Sequence, residues 1–235
     1  MTPNSALTVV IPVRNQAAFV GAAVSSVLDQ QGGSPTVVIV DDGSTDGSGD
    51  VARRAAPTAV VLRTEGLGPA GARNLGVRAT TTPFLAFCDA DDRWPPERCR
   101  HDLALLDANP EAPGLLGQVR FEAETAGLLD HLRFPGDEPV GRPWSLGALT
   151  VRRSVWDRIG ALDERLARFE DHDWFLRAHD AGLAPRHHEP VVVLCRVAST
   201  NSTSADRVVP ARERLAVLHR AAARRRSSPA PPSSG

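Results

Sequence analysis

Four short apolar runs dictate what this chain can fold into. Leu7–Val13, Thr36–Val40, Ala59–Leu62 and Phe84–Cys88 are near-continuous hydrophobic stretches of strand length. A strand that is apolar at every position must be covered on both faces. The segments between them carry helix signals. Ala17–Gln30 places Phe19, Val20, Ala23, Val24, Val27 and Leu28 at helical spacing, and Gly47–Ala55 follows a turn-rich stretch from Asp41 to Asp46. Pro69–Arg78 has a proline at the favoured first turn. Regular alternation of strand and helix predicts an α/β fold with a mostly parallel central sheet flanked by helices.

The second half is less regular. Helices are expected over Trp94–Asp107, Arg153–Ile159 and Asp173–Gly182, and strands at Leu115–Phe121, Gly147–Val151 and Val191–Cys195. Residues 122–146 form a long stretch rich in proline and glycine with no readable motif. A single domain is expected over residues 1–204, with one half at 7–92 and another at 93–204. A basic C-terminal extension at 205–226 reads as helical from 207. The Ser/Pro-rich stretch 227–235 cannot bury a core and is expected to be disordered.

Charge and cysteine content exclude some classes. The net charge is −1, so no global polyanion-binding signal exists and nucleic acid is not an expected partner. Every basic side chain apart from histidine is arginine, which points to codon bias in a high-GC genome. Residues 205–235 hold seven arginines against Asp206 and Glu213. Arg224-Arg225-Arg226 can be read as a weak membrane-surface contact or as a solvated helix end that favours cations. Cys88, Cys99 and Cys195 form no C-x-x-C pair, which predicts packed, inert thiols in a reducing compartment. No signal peptide or membrane-length apolar run is evident, so a cytoplasmic protein is expected.

The chemistry-bearing residues gather at strand ends, where open α/β sheets bind ligands. Asp89-Ala90-Asp91-Asp92 follows the fourth apolar run. Carboxylates at alternate positions can share Mn²⁺ or Mg²⁺, whose remaining ligands are often substrate phosphates. The plainer alternative is a polar loop with an aspartate capping a helix. Gly66-Leu67-Gly68-Pro69-Ala70-Gly71 also matches the dinucleotide-binding G-x-G-x-x-G. However, it falls on the third strand and would set three carboxylates near a pyrophosphate without a cation. An NAD(P)-dependent oxidoreductase is therefore a minor alternative.

Four segments stand in a telling order: Val10-Ile11-Pro12-Val13-Arg14-Asn15, Val40-Asp41-Asp42-Gly43-Ser44-Thr45-Asp46, Gly68-Pro69-Ala70-Gly71-Ala72-Arg73-Asn74-Leu75-Gly76 and Phe87-Cys88-Asp89-Ala90-Asp91-Asp92. With Arg152-Arg153-Ser154, Gly160-Ala161-Leu162-Asp163-Glu164 and Phe169-Glu170-Asp171-His172-Asp173-Trp174, they resemble the family 2 glycosyltransferases, inverting enzymes of the GT-A fold. The resemblance covers about residues 7–200 and implies a Rossmann-like GT-A domain. The implied activity is metal-dependent transfer of a hexosyl unit from a nucleoside diphosphate sugar, UDP-sugar favoured, to an acceptor hydroxyl. The acceptor class (glycan, lipid, peptide or natural product) stays open.

Residue by residue, the resemblance implies a nucleotide-sugar site formed by Pro12, Arg14, Asn15, Asp41, Arg73, Asp89 and Glu170. In it Asp41 accepts from a uracil imide, Arg73 forks onto the diphosphate, and Asp91 ligates the metal with Asp89 beside it. Asp171 is implied as the general base. Bland alternatives stand beside each: an Asx turn, which suits Asp42, Ser44 and Asp46 better than Asp41, an arginine paired with a helix acid, and an acidic helix N-terminus. Two departures weaken the match. Arg14 stands where relatives usually have an aromatic residue, and Cys195-Arg196-Val197-Ala198 replaces the frequent Arg-x-His, so Ala198 offers no ligand. His187 or His188 could substitute, although such a pair is more often packed or solvated. The missing histidine keeps open a catalytically weak nucleotide-sugar-binding protein.

Overall fold

Valine, isoleucine and leucine dominate the apolar runs, and their branched side chains suit a pleated surface buried on both sides. In the computed structural model, which describes residues 6–130, 132–198 and 211–227, those runs form one eight-stranded sheet. The first strands are β1 (Leu7–Val13), β2 (Thr36–Asp42), β3 (Val60–Thr64) and β4 (Phe84–Phe87), and the helices between them are α1 (Val20–Leu28), α2 (Ser48–Ala55) and α3 (Gly68–Arg78). Then follow α4 (Arg98–Ala108), β5 (Gly114–Ala123), β6 (Val140–Gly141), β7 (Leu149–Arg152), α5 (Arg153–Ile159), α6 (Glu170–Asp180), β8 (Arg186–Val197) and α7 (Ala211–Ser227).

The strand order is β3-β2-β1-β4-β7-β5, with β8 beyond β5 and the short β6 following β7 on the other edge of β5. β1 pairs in parallel with both β2 and β4, β2 with β3, and β5 with β8. Only β6 and β7 run against their neighbours. The sheet is therefore mostly parallel, as the alternation predicts. The chain leaves β1 toward β2 and β3 and returns to β4 on the opposite side, so a crevice opens at the carboxyl ends of β1 and β4.

Two large apolar clusters cover the sheet, with a small third one at Val38, Val40 and Ala72. One packs Val20, Ala23, Val24 and Val27 of α1 on Val9, Ile11 and Ile39; the other gathers Leu85, Phe87, Trp156 and Trp174. Trp156 and Trp174 stack at 5.2 Å and fix α6 against α5. A stripe of such side chains contributes about 1.5–3 kcal/mol per residue on burial.

Several elements start away from their expected residues, among them α1 at Val20 rather than Ala17 and α4 at Arg98 rather than Trp94. α6 begins at Glu170, three residues before the expected start, because Phe169 takes a left-handed conformation (φ 62) and turns the chain into the helix. β8 begins at Arg186 rather than Val191, so His187 and His188 lie within the strand. α7 begins at Ala211; the expected helical residues 207–210 and the tail 228–235 lie outside the described residues. No helix among the described residues is long and apolar enough to cross a membrane.

Candidate active site

Strand direction brings the motifs together. Pro12, Val13 and Arg14 end β1, Asp42 ends β2, Gly68, Pro69, Ala72 and Arg73 open α3, and Asp89 to Asp92 follow β4. These residues line one cleft of about 290 Å³, joined by Cys195 and Arg196 from the end of β8. That is near the lower end of ligand-pocket volumes.

The β2 turn is a rigid wall. Asp41 is fully buried; its Oδ1 accepts from Ser44 N–H at 3.0 Å and its Oδ2 from Arg63 at 3.1 Å. Asp46 makes the expected Asx turn, its Oδ1 accepting from Ser48 N–H at 3.0 Å, while Asp41 braces the turn from inside. Asp42 faces the cleft, accepting from Thr64 Oγ1 (2.5 Å), Leu67 N–H (2.6 Å) and Gly68 N–H (2.9 Å). The amides that would cradle a pyrophosphate in the G-x-G-x-x-G reading are therefore already bonded to a carboxylate. Asn15, in a left-handed conformation (φ 53), braces the same turn: its N–H donates to Ser44 Oγ and its Oδ1 accepts from Thr45 N–H. Arg14 is exposed and lies 3.9 Å from Asp42.

Arg73 is the hinge of the site. Buried in the first turns of α3, it donates to Asp89 Oδ1 at 2.6 Å and to Glu170 Oε1 at 2.8 Å. Burial lowers its pKa, and the carboxylates of Asp89 and Glu170 more than reverse this. Charge-assisted pairs of this kind are the strong ones. Burial raises the Glu170 pKa, with Arg73 opposing the rise.

Asp89 and Asp91 sit at alternate positions on the cleft wall. Burial first, then the Asp89 carboxylate, raises the pKa of Asp91. Asp92, more deeply buried, is pushed up to about 8 by burial and by Asp89 and Asp91. Its Oδ1 accepts from Arg196 N–H at 3.1 Å, so it docks the loop onto the end of β8. Among the described residues, no three His, Cys, Asp or Glu side chains form a complete metal-binding group. Two hard oxygen ligands under mutual repulsion fit a divalent cation whose other positions come from phosphate and water.

The three acids opening α6 have different surroundings. Glu170 pairs with Arg73, and the buried Asp173 pairs with Arg177 (2.8 Å) and Arg224 (3.1 Å). Asp171, half-buried, accepts from the N–H and Nδ1 of its neighbour His172, at 2.7 and 2.8 Å.

A larger cleft of about 780 Å³ lies between α3, the 161–165 loop, α6 and α7. It holds charge pairs in place of a reactive cluster. Arg220 meets Asp163 at 2.8 Å and Arg224 meets Asp173 at 3.1 Å; beside the cleft, Arg225 meets Asp180 at 2.7 Å. Arg224 and Arg225 are therefore paired with Asp173 and Asp180 of α6.

The histidine question is resolved by position. His187 and His188 lie at the start of β8, eleven and ten residues before Ala198 and so at the other end of the strand. His188 is buried 3.6 Å from Asp102. Ala198 is fully buried. Cys88 and Cys99 are buried and all three thiols are free. Burial pushes the Cys99 pKa up to about 12 and raises those of Cys88 and Cys195. Sequence reasoning missed Asp42 and Arg196 as cleft residues. Arg196 could have been found, since it matches the arginine of Arg-x-His even though the histidine is absent.

The profile of the glycosyl transferase family 2 matches residues 8–154. The chain belongs to this family. Similar proteins include the succinoglycan biosynthesis protein ExoU of Rhizobium meliloti, 31% identical over 192 residues, covering 72% of this chain and 56% of ExoU. The pre-mycofactocin glycosyltransferase of Mycobacterium tuberculosis is 31% identical over 209 residues, covering 80% and 42%. The chain thus spans only about half the length of these curated relatives. Among solved structures, S. aureus TarS 1–349 in complex with UDP-GlcNAc superposes with a TM-score of 0.71 at 19% identity, covering 92% of this chain and 65% of that one. The mannosyltransferase PcManGT of Pyrobaculum calidifontis, solved with GDP-Man and Mn²⁺, gives 0.60 at 23% identity, covering 98% and 67%. These likenesses establish the GT-A fold, and family membership removes the oxidoreductase reading.

Proposed function

We propose that this chain is an inverting, metal-dependent glycosyltransferase that moves a sugar from a nucleoside diphosphate donor to an acceptor hydroxyl. The observation carrying this reading is the Asp89–Arg73–Glu170 bridge, which ties the donor cleft to the helix turn holding Asp171. A UDP-sugar is the favoured donor, a choice supported by the TarS complexes with UDP and UDP-GlcNAc.

Asp89 and Asp91 would hold Mn²⁺ or Mg²⁺, which when bound supplies positive charge for the departing diphosphate. Arg73 adds a buried guanidinium beside the same position. Asp171 takes the proton from the acceptor hydroxyl as that oxygen bonds to the anomeric carbon, while the carbon–oxygen bond to the diphosphate breaks. Glu170 and Asp173 are poor rivals, because each is already neutralised by arginine.

The test is to titrate UDP, GDP and dTDP with Mn²⁺ and with chelator, and to assay donor turnover. Cation-dependent binding that collapses in Asp91→Ala is expected, with the fold intact. Equal binding in chelator would overturn the metal site. A second reading, a nucleotide-sugar binder of low turnover, is favoured by the buried Ala198 in place of a ligand. It predicts tight donor binding without release of the nucleoside diphosphate.

A further inference from the structure

Trp144 stands three residues after β6, in the turn that leads through the 3-10 segment Leu146–Ala148 into β7. The turn is fixed: Ser145 N–H donates to Pro143 O at 2.9 Å, and Ser145 Oγ accepts from Gly147 N–H at 3.2 Å. Of the four tryptophans, Trp94, Trp156 and Trp174 are buried, while Trp144 is 38% exposed. Its ring rests against Phe175 at 5.9 Å and His172 at 6.3 Å, both on α6. Phe169 meets the same imidazole edge-on at 5.4 Å. Among the described residues the indole N–H meets no acceptor.

A single exposed tryptophan needs no explanation in itself. The position of this one does. His172 touches Asp171 at 2.8 Å, so one imidazole separates the indole from the candidate base. The other large exposed apolar residues, Val60, Leu67, Leu105 and Leu218, lie on other elements. Among the described residues, the ring side chains gathered beside Asp171 are Trp144, Phe169 and His172.

We propose that Trp144, with His172 at its edge, is the stacking platform for a sugar ring of the acceptor, so that the acceptor is a glycoside. The axial C–H groups of a pyranose carry partial positive charge and sit well on the negative face of an indole. Its hydroxyls then point outward along the ring edge, toward His172 and Asp171. The proposal rests on Asp171 being the base.

The experiment is a ligand-observed saturation-transfer NMR titration of the full chain in Mn²⁺ and UDP. Methyl glycosides of glucose, mannose and N-acetylglucosamine are the probes, and glycerol is the polyol without a ring. UDP affinity and thermal unfolding are measured on the same samples. Trp144→Ala should weaken glycoside binding at least tenfold, and Trp144→Phe should keep it within about threefold. UDP affinity should hold in both, and Trp144→Phe should also keep the melting temperature, while Trp144→Ala lowers it through the lost contact with Phe175. Binding that survives Trp144→Ala, that is matched by glycerol, that falls together with UDP affinity, or that is absent in the wild type for all three glycosides would overturn the platform. Glycoside binding that depends on Trp144 in a protein that does not bind UDP would keep the platform and remove the donor reading instead.

Discussion

Arg73 and Glu170 are 97 residues apart in sequence, and their side chains meet at 2.8 Å inside the protein. One opens α3 on the donor side of the sheet; the other begins the helix that carries Asp171. Both side chains are about one-tenth exposed, so neither charge can be left to water if the other is removed.

Removing only the cation should therefore cost more than removing both charges. Arg73→Met leaves Asp89 and Glu170 without their partner, and breaking such a buried pair typically destabilises by about 3–5 kcal/mol. Adding Glu170→Gln should recover part of that loss. Urea unfolding of the two single variants and the double variant measures the coupling. Strictly additive changes would mean that the contact carries no energy.

Glycine 49 gives a prediction of unusual sign. Alanine in place of a helical glycine normally stabilises by about 1 kcal/mol. Here a Cβ would lie 2.3 Å from Asp41 Oδ2, the buried carboxylate that holds the β2 turn. Gly49→Ala should lower stability by about 1–3 kcal/mol, the usual cost of overpacking, and weaken UDP binding with it. A raised melting temperature would show that Asp41 is free to move and that the turn is soft.

The same residues show how much could be read from sequence. β1 to β4 and α1 to α3 were legible because each carries its own signal, an apolar run or a start residue, whatever packs on it. Asp41 is fully buried and Asp42 lines the cleft, a difference the sequence does not carry. Which of two adjacent aspartates turns inward depends on Arg63 and Thr64, one strand away. The start of α6 was half legible: Glu170 and Asp171 read as an acidic helix start, but its N-cap is a phenylalanine at positive φ, a conformation no propensity favours. The first residues of β8, Arg186 to Pro190, look polar and loop-like. They extend as a strand because β5 supplies the pairing and because Asp102 lies beside His188.

Acid should loosen the contact of α7 at Asp163. Hydrogen bonding from Arg165, with help from Arg220, lowers the Asp163 pKa to about 2 from the model-compound 3.8. A carboxylate depressed in the folded state contributes stability above its unfolded pKa and loses it as pH falls through the folded value. The window therefore runs from about pH 4 down to about pH 2. The contribution should stay below about 1 kcal/mol, as expected for a pair at the surface. Asp163→Asn should flatten this part of the curve of melting temperature against pH while leaving its neutral plateau nearly level. An unchanged acid slope would mean that the Arg165 and Arg220 contacts are not maintained in solution.

The sharpest prediction separates the three acids at the start of α6. Asp171→Asn keeps the shape and removes the basic lone pair, so transfer should fall roughly 10²–10⁴-fold, the usual worth of a general base. UDP affinity should barely move, because Asp171 does not line the donor cleft. Asp173 lies two positions further along a helix that turns about 100° per residue, and it faces Arg177 and Arg224. Asp173→Asn should therefore act mainly on stability, with turnover largely kept below the melting transition. Glu170→Gln should disturb both, since it releases Arg73 beside the donor cleft. Turnover, UDP affinity and melting temperature measured on all three variants give each acid its own signature. If Asp171→Asn transfers at near wild-type rate while Asp173→Asn or Glu170→Gln collapses, the base moves to that neighbour. If all three stay active, a carboxylate base drawn from this helix turn has to be abandoned.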